Sequence, residues 1–540
     1  MTSSSRRSAI KALLGSAALP GAYAAGAQLP AHAAGPAAAP RWGHAMEGQR
    51  KADLGNGTFR NPILSGDRPD PTILKDGDNY YMTFSSFFSY PGIVIWHSTD
   101  LLNWTPIGPA LFKPLGTIWA LDLCKHRDRY YIYIPANPDE RGWSIYVIWA
   151  DNIAGPWSAP IDMHIAGAID PGHVVGEDGK RYLFVNGIRK IRITDDGLAA
   201  DGQLEPAYKP WRYPDNWVVE NFAPEGPKLL RRNGWFYLVT AVGGTAGPVT
   251  GHMVIAARSH SVHGPWEHCP HNPLVRTESI GEPWWSRGHA TPVEGPDGSW
   301  WLVYHGYENG YRTLGRQVLM EPIEWTADGW FRALGGDLSR ALPAPQAVRR
   351  SAAAFTLSDD FSRNRFGVQW AFHDPAPNEM QRVSYGGNGM RLAAKGTSPA
   401  NSTPVTCIVG DRAYEVDITI ELLGEAEGGL LLFYNPKAFV GLGFTSQHIK
   451  TYQYAEEQQW GRLANASKTL RLRLSNDNHV VTYHFSDDGG RTWQLHGTRM
   501  EVSGIHHNVF GGFLSLRVGI FSAGSGSIRV SQFKYSGRNS

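Results

Sequence analysis

Three acidic residues stand in short proline-flanked settings: Arg68-Pro69-Asp70-Pro71, Ala168-Ile169-Asp170-Pro171 and Ala223-Pro224-Glu225-Gly226-Pro227. Ile118-Trp119-Ala120 and Arg287-Gly288-His289-Ala290 occupy comparable places. Asp70, Trp119, Asp170, Glu225 and His289 each precede an aromatic anchor by 11 or 12 residues, the anchors being Tyr81, Tyr131, Tyr182, Phe236 and Trp301. Ionised carboxylates repel and shift one another's pKa, so a chain that gathers three of them does so against an electrostatic cost and points to chemistry. Such a trio suits cleavage of a glycosidic bond: one acid protonates the leaving oxygen, while a carboxylate attacks the anomeric carbon or activates water. A third carboxyl group can raise the acid's pKa and orient it. Spacing alone assigns none of these roles.

The elements that would position these residues are repeats. Tyr80–Phe84, Tyr130–Ile134, Arg181–Val185, Trp235–Val239 and Trp300–Tyr304 share one aromatic strand pattern. Each follows a polar turn such as Asp76-Gly77-Asp78-Asn79 or Pro296-Asp297-Gly298-Ser299, which is hairpin chemistry. The anchors are 50, 51, 54 and 65 residues apart, a repeat length that predicts a β-propeller of five blades. Ile93–Trp96, Ser144–Ile148, Met253–Ala256 and Leu314–Val318 fit a further strand in four of the blades. If the anchor strand is second in its blade, the five upstream residues fall on innermost strands and converge at one end of the central channel. Asn103-Trp104, Pro156-Trp157 and Pro265-Trp266 read as peripheral packing.

Composition bounds the rest. The 540 residues include 51 Lys and Arg, 49 Asp and Glu and 20 Trp, with 42% hydrophobic residues, which excludes disorder, collagen and coiled coil and implies two or three domains. Ser5-Arg6-Arg7-Ser8-Ala9-Ile10-Lys11 and the Ala/Leu-rich run to about Ala25 read as a twin-arginine export signal. Small-x-small cleavage sites at Ala22-Tyr23-Ala24 and Ala31-His32-Ala33 assign residues 1–33 to that signal and 34–57 to an N-terminal extension. The expected product is exported, periplasmic or extracellular, and without the basic leader it is close to neutral, which argues against a nucleic-acid partner. No other run approaches the roughly 18 apolar residues of a membrane span, so no membrane partner is expected. Cys124, Cys269 and Cys407 are too sparse for a disulfide framework or a zinc site.

Asn61-Pro62-Ile63-Leu64, Arg68-Pro69-Asp70-Pro71-Thr72, Ser85-Ser86-Phe87, Pro91-Gly92-Ile93 and His97-Ser98-Thr99-Asp100-Leu101-Leu102-Asn103-Trp104, in that order, resemble glycoside hydrolase family 43. So do Ile118-Trp119-Ala120, Ile169-Asp170-Pro171, Glu225-Gly226-Pro227 and Leu314-Gly315-Arg316. The resemblance implies a five-bladed propeller, β-xylosidase or α-L-arabinofuranosidase activity, and hydrolysis with inversion. It makes Asp70 the general base, Glu225 the general acid, and Asp170 the residue that tunes and positions that acid. It places Phe87, Trp119, His289 and Arg316 at the sugar. No cofactor is required, although the resemblance allows a central calcium near His289; the sequence holds no EF-hand loop. Two departures stand out: Arg68 replaces a frequent aromatic and is expected to alter the charge of the sugar subsite, and Leu121 replaces a usual Pro. Gly243–Pro248 and Trp284-Trp285 are expected in loops near the mouth.

The propeller is assigned to residues 58–340, a Pro/Ala-rich linker to 341–355 and a second β domain to 356–540. Strict alternation in Leu470–Leu474 and Val481–Phe485 predicts half-buried antiparallel strands of a jelly-roll-like sandwich, which either packs on the propeller or binds carbohydrate on its own. Ser486-Asp487-Asp488-Gly489-Gly490-Arg491-Thr492-Trp493 spells a hairpin that recurs in sialidases, but it occurs once and outside the propeller, so it reads as a stable turn. The expected partner is an oligosaccharide or polysaccharide. The alternatives are a galactan- or arabinan-directed hydrolase, a non-catalytic sugar-binding propeller, and a polysaccharide lyase. The sequence leaves the oligomeric state open.

Overall fold

The computed structural model describes residues 42–347, 355–387, 389–463 and 467–538. The expected export signal, residues 1–33, lies outside the described residues. Five antiparallel sheets of four or five strands form the propeller. Their first strands, Thr72–Asp76, Asp122–His126, Gly172–Val175, Glu225–Arg232 and Trp284–Glu294, touch neighbour to neighbour in a closed ring around the axis. The anchor strands are second in every blade, with Leu74 opposite Tyr81, Cys124 opposite Tyr131, Val174 opposite Tyr182, Arg231 opposite Phe236 and Val293 opposite Trp301. Alternate residues of these strands pack between blades; Ile132, Ile134, Val185, Val239 and Val303 are all fully buried, and this apolar burial drives the stacking of the sheets.

Blade five closes the ring through the chain's own N-terminal segment. Asn61 exchanges two side-chain hydrogen bonds with the backbone of Met320, at 2.9 and 2.8 Å, which copies a strand pairing with one amide group. Leu342–Pro343 pairs with Thr58–Phe59, so the start of the stretch read as a linker is a strand of the propeller's closure; residues 348–354 lie outside the described ones. The extension is likewise structural from Trp42 onward, pairing Gly43–His44 with Arg50–Lys51.

The C-terminal domain is a β-sandwich built on two long strands, Ala413–Asn435 and Arg517–Gly537, which pair from Tyr414 opposite Gly537 to Phe433 opposite Arg517. Val416, Ile418 and Ile420 meet Leu470, Leu472 and Leu474 in a dry core. The sheet does not stop at the domain boundary. Trp370–His373 pairs with Ser89–Tyr90 of blade one, and Asp374 N–H donates to Phe88 O at 2.7 Å. The sandwich therefore holds, by main-chain hydrogen bonds, the loop that carries Phe87. Among the described residues the single α-helix is His507–Phe510, and no helix is long and apolar enough to cross a membrane. The Ser486–Trp493 hairpin is an Asp-centred turn in the sandwich, with Asp488 accepting from the N–H groups of Arg491 and Thr492.

Candidate active site

Asp70 and Asp170 sit just before the innermost strands of their blades, Glu225 opens its own, and His289 lies at an irregularity inside Trp284–Glu294. Asp70, Asp170 and His289 have left-handed φ values of 57°, 56° and 57°, a region that costs a side-chain-bearing residue energy and recurs at functional sites. In blade four the corresponding kink falls on Gly226, with φ 59°. A Cβ there would lie 3.0 Å from the His289 imidazole, so glycine also leaves room for that ring.

His289 is the hub. Its Nδ1 is 3.5 Å from Asp70 Oδ1, and its Nε2 is 3.5 Å from both Asp170 Oδ2 and Glu225 Oε1. Asp70 is fixed from three further directions: Arg316 Nη1 donates to Oδ1 at 2.7 Å, Ser85 Oγ donates to Oδ2 at 2.5 Å, and its own N–H donates to His305 Nδ1 at 3.0 Å. Asp170 Oδ2 accepts the Gly226 N–H at 3.1 Å, which ties it to the residue after Glu225. Glu225 is the most open of the three acids, its side chain 23% exposed against 6% for Asp70 and 4% for Asp170. Accessibility thus leaves Glu225 free to reach a substrate oxygen while the two aspartates are held.

These environments separate the acids electrically. Burial pushes the Asp70 carboxyl up, but the Arg316 guanidinium and His289 more than offset it and hold Asp70 well below the usual carboxylate range. Asp170 moves the other way, to about 7, through burial and the nearby charges of Glu225 and Asp70, which outweigh the opposing pull of His289. His289 rises to about 9: burial lowers it, and Asp70, the Glu225 hydrogen bond and Asp170 prevail. At neutral pH the site therefore combines an imidazolium, a firmly ionised Asp70 and a carboxyl that still retains its proton for part of the time.

Aromatic rings wall this cluster. Phe513, carried by the sandwich, stacks over Phe87 at 6.4 Å and stands edge-on to Trp119 at 5.7 Å. Trp143 lies 4.4 Å from Trp119, and Arg316 Cζ is 5.4 Å from the Phe513 ring. The resulting pocket, about 190 Å³, is lined by all seven residues singled out in the sequence: Asp70, Phe87, Trp119, Asp170, Glu225, His289 and Arg316.

Other expectations fall elsewhere. Arg68 does not face the sugar pocket; its guanidinium lies 4.8 Å over Trp96 and donates to Ser65 O, at the seam with the sandwich. Trp284 is buried in the core between blades four and five, and the Trp285 indole donates to Ile280 O, so neither lines the pocket. Of the segment Gly243–Pro248, Gly244 and Thr245 do line it, together with Glu220, Asn221 and Phe513, which the repeat pattern did not single out.

His252 and His305 lie beneath His289, the three rings 5.4 to 5.6 Å apart. Ligand atoms of Glu225, His252 and His289 lie within 4.8 Å of one another. Two imidazoles and one carboxylate suit a borderline transition metal, whereas calcium takes about six to eight oxygens, so these donors do not fit a central calcium.

Comparison with known proteins bears on this geometry. Residues 59–331 match the family model described as glycosyl hydrolases family 43, and residues 358–536 match that of the beta xylosidase C-terminal concanavalin A-like domain. A non-reducing end α-L-arabinofuranosidase of Bacteroides ovatus is 28% identical over 509 residues, covering 88% of this chain and 93% of its own. A xylan 1,3-β-xylosidase of a Vibrio species is 31% identical, covering 63% of this chain and 69% of its own. The crystal structure of a xylan β-1,4-xylosidase from Bacillus halodurans superposes with a TM-score of 0.79 at 25% identity, covering 88% of this chain and 99% of that one.

Proposed function

The chain belongs to glycosyl hydrolase family 43, and from that premise we propose that it is an exported, inverting exo-glycosidase releasing terminal β-D-xylosyl or α-L-arabinofuranosyl residues from plant cell-wall oligosaccharides and polysaccharides. The observation that carries this reading is the placement of Asp70 and Glu225 on opposite nitrogens of one imidazole, inside a pocket about the size of a single sugar.

In this reading Asp70 accepts a proton from water as the water oxygen bonds to the anomeric carbon. Glu225 gives its proton to the glycosidic oxygen as the carbon–oxygen bond breaks on the opposite face. The ionised state of Asp70, enforced by Arg316, keeps its lone pair available to the water. Asp170 and His289 hold Glu225 by way of Gly226 and Nε2. The imidazolium between the acids limits their repulsion while each performs its own proton transfer. Two ring nitrogens about 2 Å apart, each 3.5 Å from a carboxylate oxygen, leave the base and acid oxygens at most about 9 Å apart, which accommodates the roughly 6.5–9.5 Å of an inverting pair. Phe87, Trp119 and Phe513 offer flat faces to the C–H edges of the sugar and exclude bulk water, which strengthens the electrostatic interactions inside. The walled pocket favours removal of one end residue over attack within a chain. Export follows from Arg6-Arg7 and the Ala/Leu-rich run behind them.

Proton NMR of the purified protein acting on β-xylosides, α-arabinofuranosides, xylobiose and arabinan oligomers tests the reading. The first anomer released is expected to have inverted configuration. A retained anomer would sink the mechanism, and no turnover by folded protein that still binds sugars would return the propeller to a binding role. Fractionation of the native host tests export: the mature protein is expected outside the cytoplasm, and replacing Arg6-Arg7 by Lys-Lys should trap it inside.

A further inference from the structure

We propose that Glu220 is a substrate-binding residue on the leaving-group side of the pocket, where its carboxylate accepts a hydrogen bond from a hydroxyl of the departing sugar. This rests on the glycosidase reading above and specifies what lies beyond the bond that is cut.

Position comes first. The acid must face the leaving oxygen, so the departing sugar lies over the residues that flank Glu225. The residues of the segment leading into Glu225 that line the pocket are Glu220, Asn221 and Ala223, and Gly244 and Thr245 line it with them. None of these takes part in the proton transfers.

The local structure is built around the Glu220 carboxylate. Its Oε2 accepts the Gly247 N–H at 2.7 Å. A Cβ on Gly244 would come within 2.7 Å of Oε2, and one on Gly247 within 2.6 Å of Glu220 Cβ. Two glycines thus give this one side chain room to lie against the loop. The segment behind it is stiff: Trp211, Trp217, Val219 and Phe222 pack on Tyr213, Val242, Met253 and Ile255, and the Arg276 guanidinium covers Trp217 at 3.5 Å.

One carboxylate oxygen is therefore spent on fixing the group, and the other is free. Among the described residues Oε1 accepts no hydrogen bond and no cation pairs with Glu220. An ionised carboxylate only accepts, and its hydrogen bonds are stronger than neutral ones, so the group that suits Oε1 is a donor such as a sugar hydroxyl. An aryl leaving group has none to offer.

The test compares Glu220→Gln and Glu220→Ala with the wild-type protein on two substrates that share one glycosyl unit: the nitrophenyl glycoside and the corresponding disaccharide. Gln retains a carbonyl oxygen for the Gly247 N–H but loses the charge. It should lower kcat/KM on the disaccharide by about 10- to 100-fold, the worth of a charge-assisted hydrogen bond, mainly through KM, and leave the nitrophenyl glycoside within about 2-fold. Ala also loses the loop latch and should lower both. Equal effects of Gln on the two substrates, or none on either, would overturn the assignment. Wild-type protein that cleaves neither substrate would instead overturn the glycosidase reading and this inference with it.

Discussion

Two knots of buried charge lie at opposite sides of blade five, and they are wired differently. At the seam, Arg50 of the N-terminal segment forks onto Glu308 at 3.0 and 2.9 Å, Arg412 of the sandwich donates to the same carboxylate at 2.9 Å, and Asp411 accepts the Arg50 N–H at 2.8 Å. Gln317 fills the remaining gap between Arg50 and Glu308. Two guanidinia meet two carboxylates. Burial works against ionisation of Glu308, but Arg50 and Arg412 outweigh it and the carboxyl sits below its ordinary range. In the active site the cationic groups that face the three carboxylates, among the described residues, are Arg316 and His289. The excess negative charge is relieved by keeping a proton on Asp170 up to about pH 7. The seam is balanced and joins the parts, whereas the active site is left one cation short, and that shortage goes with the raised Asp170 carboxyl.

The largest expected effects separate the two knots. Glu225→Gln and Asp70→Asn remove the proposed proton donor and acceptor while preserving shape, so each should cost about 10²- to 10⁴-fold in kcat with little change in the thermal midpoint. If either variant stays within about 10-fold of wild type, its assigned role is wrong. Glu308→Ala should do the reverse. It leaves Arg50 and Arg412 facing a vacated, desolvated site, a loss of about 3–5 kcal/mol in stability, read by chemical denaturation, with kcat at 25 °C changed by less than about 3-fold. A variant that keeps its stability would mean that the sandwich is held by its other attachments, the strand pairing to Ser89–Tyr90 and the contacts of Arg517 with Asp67 and of Leu516 with Thr313 among them.

Much of the candidate site's composition was legible in the sequence because a propeller converts sequence offset into radius. An aromatic strand after a polar turn fixed the second strand of each blade, and counting back 11 or 12 residues reached Asp70, Trp119, Asp170, Glu225 and His289. The offset works because the chain enters every blade at the axis. What escaped has no such periodic carrier. His305 lies on the second strand of blade five, where alternation marks it as one more inward position in a run of aromatics. His252 falls just before the strand Met253–Ser259, and Gly288 makes space for it: a Cβ there would come 1.9 Å from its ring. Glu220 lies in a loop, and Phe513 comes from another domain at a left-handed φ of 55°. Arg68 was misjudged because the left-handed turn at Asp70 sends the two side chains in different directions, one to the channel and one to the seam. Likewise Arg50 showed nothing in sequence, since its partners lie 258 and 360 residues away.

The imbalance itself can be probed at Asp170. Its folded pKa, near 7, is above the unfolded value, so the carboxyl favours folding below the unfolded value and loses that contribution as pH rises through about 7. Asp170→Asn keeps an acceptor for the Gly226 N–H without the charge. It should match wild-type stability below about pH 4, gain on it steadily as pH rises, and exceed it by on the order of 4 kcal/mol above pH 7, while kcat falls because Glu225 loses its neighbour. Wild-type kcat/KM should decline above about pH 7, as Asp170 loses its proton, and remain level toward acid until Asp70 protonates. A stability gain independent of pH would show that the carboxyl is not strained by its neighbours.

Phe513 offers the smallest and most discriminating test, because the sandwich reaches both knots and this ring is its contribution to the catalytic one. The ring stacks on His507 at 3.8 Å, and Leu516 N–H donates to Thr313 O at 2.8 Å, so its loop is braced on both sides. Phe513→Ala should therefore leave the loop in place and remove only the wall, raising KM about 5- to 10-fold through lost apolar contact with the sugar and changing kcat by no more than about 3-fold. Glu308→Ala acts on the same domain from its other attachment. If weakening the seam raises KM as much as deleting the ring, then the balanced knot serves catalysis as well, by holding Phe513 against Phe87 and Trp119. If KM responds to the ring alone, the two knots are independent, and the pairing of Trp370–His373 with Ser89–Tyr90 is what aligns the domains at the site.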